Sequence, residues 1–63
     1  MIYLKSDNEI DRIEIYNLLG QLVKKQSPKK VNANIDISSL QKGVYILRAF
    51  SNGKATSKRI LKN

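Results

Sequence analysis

The amino-acid sequence predicts one small all-β domain that spans residues 1–63. Short segments alternate apolar and polar residues or are rich in β-branched residues, which is typical of strands. Turn residues separate these segments at regular intervals, which indicates a sandwich or a barrel. The segment that most resembles an amphipathic helix, 18–25, has Gly20 inside it, and glycine destabilises a helix by about 1 kcal/mol relative to alanine.

The first part of the chain is predicted to form three strands. Ile2–Leu4 is short and apolar, and Ser6–Glu9 follows it as a turn. Arg12–Tyr16 alternates polar and apolar residues, as a half-buried strand does. Asn17–Gly20 is predicted to be a turn, because asparagine suits the first position of a type I turn and glycine suits the left-handed residue that ends it. Gln21–Gln26 then returns as the partner strand.

The middle of the chain contains a loop, a strand and a corner. Ser27–Lys30 is predicted to be a loop because Pro28 has no N–H for a strand ladder. Val31–Ile37 is apolar at odd positions and polar at even ones, which predicts a strand with one buried face. Ser38–Gly43 is a corner in which glycine supplies an unusual backbone angle.

The last part of the chain is predicted to be a hairpin. Val44–Phe50 is β-branched and aromatic and begins apolar on both faces, which is typical of a central strand. Asn52 and Gly53 both tolerate positive φ, so they indicate a two-residue turn. Ala55–Lys62 closes the chain as a basic strand.

Composition excludes most chemistry. The chain has no cysteine and no histidine, so a zinc site, a disulfide and a histidine base are excluded. The serines therefore lack the usual partner for nucleophilic catalysis. The acidic residues of segment 7–14 have neither the glycine nor the distal glutamate of an EF-hand loop. We expect no enzyme activity, no metal and no cofactor.

The net charge of +7 is unevenly distributed. Segment 1–17 holds four acids and two bases, and segment 18–63 holds ten bases and one acid. Such a basic body suits nucleic acid, an anionic membrane or an acidic protein, although lysine on edge strands also prevents aggregation. Tyr16 and Tyr45 lie inside apolar runs, where core packing is the commoner role, so we expect no nucleic acid as partner. The N-terminus does not have the pattern of a signal peptide.

Three blocks of this sequence resemble the type IX secretion C-terminal sorting domains of Bacteroidetes. Ile13–Val23 is similar to the family's hairpin with Tyr/Phe-Asn/Asp-x-x-Gly-Gln/Arg. Ile35–Leu47 is similar to its Leu-x-x-Gly-x-Tyr segment, and Thr56–Lys62 to its basic terminal strand. The family's Pro-Asn-Pro motif is not found ahead of these blocks. We therefore expect a domain truncated at its N-terminus that lacks the first strand, with an open edge through which a homodimer could form.

The resemblance implies an antiparallel immunoglobulin-like β-sandwich of about six strands. It also implies a non-catalytic signal that directs a fused N-terminal cargo through the periplasm and across the outer membrane. The type IX secretion machinery and a sortase-like peptidase are the implied partners, and the product is secreted or held at the cell surface. The alternative is an adhesion or carbohydrate-associated module retained on a secreted enzyme.

The terminal strand is the predicted recognition surface, because an unpaired strand edge invites strand addition and basic residues steer an acidic receptor. The structural turns are Asn17 with Gly20 and Asn52 with Gly53. The residues predicted to be read by the machinery are Gly43, Val44, Tyr45, Lys58, Arg59, Ile60, Leu61 and Lys62.

Overall fold

Five strands form the structure, a computed structural model that describes residues 2–63. All pairings are antiparallel, so the predicted all-β antiparallel class is confirmed. Residues 2–63 include no helix that is long and apolar enough to cross a membrane. The strands are β1 (Ile2–Tyr16), β2 (Leu22–Gln26), β3 (Lys30–Ile35), β4 (Gly43–Ser51) and β5 (Lys54–Lys62).

Strand β1 joins two segments that the sequence predicts as separate strands. Lys5 pairs with Asn32 and Ile10 pairs with Lys30, so four residues of β1 lie opposite one residue of β3. The segment 6–9 is therefore a bulge inside a continuous strand and not a chain reversal. A bulge and a turn use the same small and polar residues, so the pairing with β3 decides between them.

Strands β2 and β3 follow one another along β1. Gln26 at the end of β2 pairs with Ile13, and Lys30 at the start of β3 pairs with Ile10. The predicted loop between them interrupts the ladder without reversing the chain. Lys29 has a φ of 56°, and its N–H donates to the Ile10 carbonyl at 2.9 Å. This left-handed residue realigns the chain against β1.

Strand β4 lies between β1 and β5, as its apolar faces predict. The order across the sheet is β2-β1-β4-β5, and β3 also pairs with β1. The register of β4 with β5 is unbroken from Ser51 opposite Lys54 to Gly43 opposite Lys62. Within residues 2–63, β4 is the only strand that pairs with β5, which places β5 at the edge of the sheet.

The core lies between the arm formed by β1 with β3 and the arm formed by β1 with β4 and β5. A register shift between Ile10 and Arg12 keeps Ile10 and Ile13 on the same face, and each is 1% exposed. Without that shift, two residues three apart on a strand would face opposite sides. The buried residues are Ile10, Ile13, Ile15, Ala33, Ile35, Ile37, Tyr45, Leu47 and Ala49.

Candidate functional site

The open edge of β5 is the backbone feature of the candidate site. One side of the strand is bonded to β4 over its whole length. The other side has no partner strand in the described part of the chain. A strand in this position carries a row of unpaired N–H and C=O groups, which can accept an added strand.

The charges of β5 are basic and face solvent. Lys54, Lys58 and Arg59 are all exposed, and the strand contains no acidic residue. Arg59 lies on the outer face opposite Ile46, whereas Lys58 lies on the core side opposite Leu47. The strand thus presents positive charge on both faces of the sheet edge.

The apolar residues of β5 divide between the two faces. Ile60 lies opposite Tyr45 and packs against the core. Leu61 lies opposite Val44 on the outer face and is 65% exposed. Among the predicted recognition residues, Leu61 is therefore the apolar side chain that a partner can reach most easily.

Lys62 is tied to the corner between β3 and β4. Its ammonium donates to the carbonyl of Ser38 at 3.1 Å and also to the carbonyl of Leu40. The side chain is half-buried, unlike those of Lys58 and Arg59. The structure therefore separates the predicted basic residues into two exposed charges and one that holds the end of the strand.

Two other predicted residues lie where the corner enters β4. Gly43 has a φ of 151°, a backbone conformation that residues other than glycine rarely adopt. Tyr45 is 8% exposed, and its hydroxyl donates to the Gln41 carbonyl at 2.6 Å. The side chain of Tyr45 thus belongs to the core and the corner, where it lies opposite Ile60 of the recognition strand.

The hairpin between β1 and β2 depends on one asparagine side chain. The Asn17 Oδ1 accepts from the N–H of Leu19 at 2.9 Å and from the N–H of Gln21 at 3.0 Å. The N–H of Gly20 donates to the Asn17 carbonyl at 3.0 Å, and Gly20 has a φ of 83°. This is the geometry of a type I turn that ends on a left-handed glycine.

The hairpin between β4 and β5 has a two-residue turn. Asn52 and Gly53 have φ values of 53° and 74° between the paired residues Ser51 and Lys54. Two positive φ angles match the twist of the flanking strands. The turn therefore sets the register that brings Lys58 opposite Leu47 and Lys62 opposite Gly43.

A polar network on the outer face of β1 was not predicted from the sequence. The Tyr16 hydroxyl donates to Glu14 Oε1 at 2.6 Å, and Arg12 Nε lies 3.1 Å from Glu14 Oε2. The hydrogen bond to Glu14 is the main cause that raises the pKa of Tyr16. The signal for this network is the two-residue spacing, which places all three side chains on one face of a strand.

The acidic residues of β1 do not form a metal cluster. Within residues 2–63, no group of three or more acidic, histidine or cysteine side chains has the arrangement that could hold a metal ion. Glu14 is engaged by Arg12 and Tyr16. The Glu9 carbonyl accepts from the Ser51 hydroxyl at 2.7 Å, which ties the bulge region to the end of β4.

One comparison with known proteins gives a match. The family model described as "Secretion system C-terminal sorting domain" matches residues 1–63. The resemblance seen in the three sequence blocks is therefore confirmed over the whole chain. No curated protein and no solved structure matches the chain significantly.

Proposed function

We propose, from the premise that this chain belongs to the secretion system C-terminal sorting domain family, that β5 is the element that the type IX secretion machinery reads. Proteins that carry a domain of this family are exported across the outer membrane to the cell surface or the extracellular space. The proposal concerns which part of the domain serves as the address. The edge position of the basic strand β5 is the observation that carries it.

The backbone and the charges of β5 suit complementary tasks in recognition. Main-chain hydrogen bonds to an open edge supply affinity for any added strand. Lys58 and Arg59 supply preference for an acidic receptor, because complementary charge accelerates encounter and rejects basic partners. Leu61, which is 65% exposed, offers an apolar contact beside them.

The remaining predicted residues hold β5 in position through contacts within the domain. Gly43 and Tyr45 shape the corner, Ile60 packs against the core, and Lys62 binds the corner carbonyls. In this proposal Val44 contributes to the outer face opposite Leu61. These residues hold the strand in place for reading and do not themselves meet the receptor through charge.

The domain acts in this proposal as a non-catalytic tail of a fused N-terminal cargo. A sortase-like peptidase then separates tail from cargo after the outer membrane has been crossed. The family to which the chain belongs consists of secretion signals and not of enzymes, which supports this role. Edman sequencing or mass spectrometry of the exported cargo tests it, since loss of the tail is expected. Retention of the tail on mature cargo would instead favour an adhesion or carbohydrate-associated module.

A secretion assay tests the role of β5. Residues 1–63 are fused to a periplasmic reporter in a bacterium with a working type IX system, and reporter in the medium is measured by immunoblot. Lys58→Glu/Arg59→Glu reverses both exposed charges without touching the core. We expect this double variant to accumulate in the periplasm. Deletion of 58–63 is a poorer test, because it also removes the packing of Ile60 and the bonds of Lys62.

The matched control is Lys29→Glu/Lys30→Glu. These two adjacent lysines are also exposed, and they lie beside β1 on the edge away from β5. The control makes the same change in net charge, so it should be secreted like the parent fusion. Equal secretion of all three fusions would refute the role of the β5 charges, and equal loss in both variants would assign the effect to net charge. Circular dichroism of the purified variants checks that each is folded.

Self-association through an open strand edge is a separate proposal. β4 pairs with β1 only as far as Ile10, so Ile2–Lys5 pair with β3 alone. An unpaired stretch of this kind favours edge-to-edge pairing between copies. Light scattering over a range of concentrations should show a dimer at the upper end, and a monomer throughout would contradict it.

A further inference from the structure

The outer face of the sheet, which is turned away from the core, carries an apolar band across four strands. Tyr16 pairs with Leu22 on one side and with Ile46 on the other, and Val44 pairs with Leu61. Leu22 is 48% exposed and Leu61 is 65% exposed. We call these five residues the outer band: Tyr16, Leu22, Val44, Ile46 and Leu61. Nothing in residues 2–63 packs over it, since the core cluster is built from the opposite faces of the strands.

A groove interrupts the band where the hairpin between β1 and β2 rises beside it. Leu18 is 68% exposed and forms one wall of the groove. The groove has a volume of about 420 Å³, which lies within the range of sites that hold small ligands or single large side chains. Its lining residues are Tyr16, Asn17, Leu18, Gly20, Ile46 and Arg48.

Arg48 is the charged side chain among the residues that line the groove. Glu14 lies opposite Arg48 in the register, but its two carboxylate oxygens are engaged by Tyr16 and Arg12 at 2.6 and 3.1 Å. Arg48 is exposed and lies with its Cζ 5.3 Å from the ring of Phe50. Within residues 2–63, the side chain of Arg48 makes no hydrogen bond and no ion pair. Its guanidinium is therefore available to a carboxylate that reaches the groove.

We propose that the outer band binds an acidic peptide segment of a partner protein. One large apolar side chain of that segment enters the groove between Leu18 and Ile46, and a neighbouring carboxylate pairs with Arg48. Charge complementarity selects this occupant. Arg48 and Arg59 flank the band, so a second copy of the same face would bring like charges together.

This surface is distinct from the open edge of β5. The outer band lies on a face of the sheet, and an added strand would lie beside β5 in the plane of the sheet. The Lys58→Glu/Arg59→Glu variant leaves Arg48 and the groove intact. That variant also reverses Arg59 beside the outer band, but the groove and Arg48 remain. Peptide binding that depends on Arg48 can therefore persist when secretion through β5 fails.

The test uses a fluorescein-labelled heptapeptide in which glutamate alternates with leucine or phenylalanine. Binding to the 63-residue chain is measured by fluorescence anisotropy. Arg48→Glu should weaken binding by about tenfold or more, because it replaces an attractive charge pair by a repulsive one. The matched control Lys54→Glu makes the same charge change on β5, opposite Ser51 and three residues along the sheet from Arg48, roughly 10 Å away. It should change affinity by less than about threefold.

Peptide controls and mapping decide between the possible causes. A peptide with serine in place of the apolar residues should not bind, and chemical-shift changes on the parent chain should concentrate at Tyr16, Ile46 and Arg48. Equal weakening by Arg48→Glu and Lys54→Glu would overturn the proposal in favour of unspecific charge attraction. Binding to phosphatidylglycerol vesicles without binding to the peptide would assign the band to a membrane and overturn it. A dimer in sedimentation equilibrium that Ile46→Ser dissociates would overturn it in favour of a second copy.

Discussion

Replacing Lys62 by methionine removes the contact that ties the end of β5 to the corner between β3 and β4. In the structure, the Lys62 ammonium donates to the carbonyls of Ser38 and Leu40. Methionine keeps most of the apolar stem of the side chain, so the packing of the strand end changes little. The substitution therefore isolates the loss of two hydrogen bonds from a charged donor.

The expected cost follows from those two bonds. A hydrogen bond with a charged donor contributes about 1.5–3 kcal/mol, but one ammonium makes both bonds and the side chain is only half-buried. Fixing a lysine side chain also costs up to about 2 kcal/mol of conformational entropy. We expect Lys62→Met to lower the free energy of unfolding by about 1–2 kcal/mol. For a chain of this size the midpoint of thermal unfolding should fall by about 5–15 °C.

Urea and thermal unfolding followed by circular dichroism measure this loss. Lys58→Met is the matched control, because Lys58 is exposed in the same strand and its side chain makes no hydrogen bond or ion pair within residues 2–63. The control should change the free energy of unfolding by less than about 0.5 kcal/mol. Equal stabilities of Lys62→Met and Lys58→Met would refute the view that Lys62 holds the corner, and would return it to the set of charges open to a receptor.

Three further perturbations test the turns and the corner. Gly43→Ala should destabilise the domain by about 1–3 kcal/mol in urea unfolding, because φ is 151° there although no atom lies within 4 Å of an added Cβ; unchanged stability would mean that the corner relaxes. Asn17→Ala should cost about 1–2 kcal/mol, since the N–H groups of Leu19 and Gln21 lose their acceptor. A substitution that leaves the amide exchange of this hairpin unaltered would contradict that reasoning. The Ser38 N–H and hydroxyl lower the pKa of Asp36. The resulting stabilisation is complete above the unfolded pKa of about 3.9 and is lost as the pH falls through the lower folded value. Between pH 5 and pH 2, the midpoint of thermal unfolding should fall less in Asp36→Asn than in the parent chain, because the substituted side chain has no carboxyl group to titrate.

Local chemistry explains which parts of the fold could be predicted from the sequence. The hairpin turns are set by Asn17, Gly20, Asn52 and Gly53, whose backbone preferences act within four residues. The central position of β4 follows from its apolar residues on both faces. Both features can be predicted from the sequence because the residues that cause them are neighbours in the chain.

Other features depend on pairing between distant segments. The bulge at 6–9 has the composition of a turn, and only its alignment with β3 keeps β1 continuous. Lys29 adopts positive φ because β2 and β3 both follow β1, which no local pattern indicates. In the sequence, Lys62 cannot be distinguished from the solvent-exposed lysines. Its role depends on where the carbonyls of the corner lie. The apolar run around Tyr45 predicts that its side chain packs in the core, but the bond from its hydroxyl to the Gln41 carbonyl depends on the position of the corner.

The position of β1 determines the order in which the sheet can open. Ile13–Tyr16 have a partner in β2 on one side and in β4 on the other. Their N–H groups alternate between the two neighbours, so the amides that bond to β4 exchange with solvent only when β1 and β4 separate at the centre of the sheet. The amides of β5 that bond to β4 can exchange when that strand alone leaves β4. A receptor that separates β5 from β4 would therefore leave the pairing of β1 with β4 at the centre of the sheet intact.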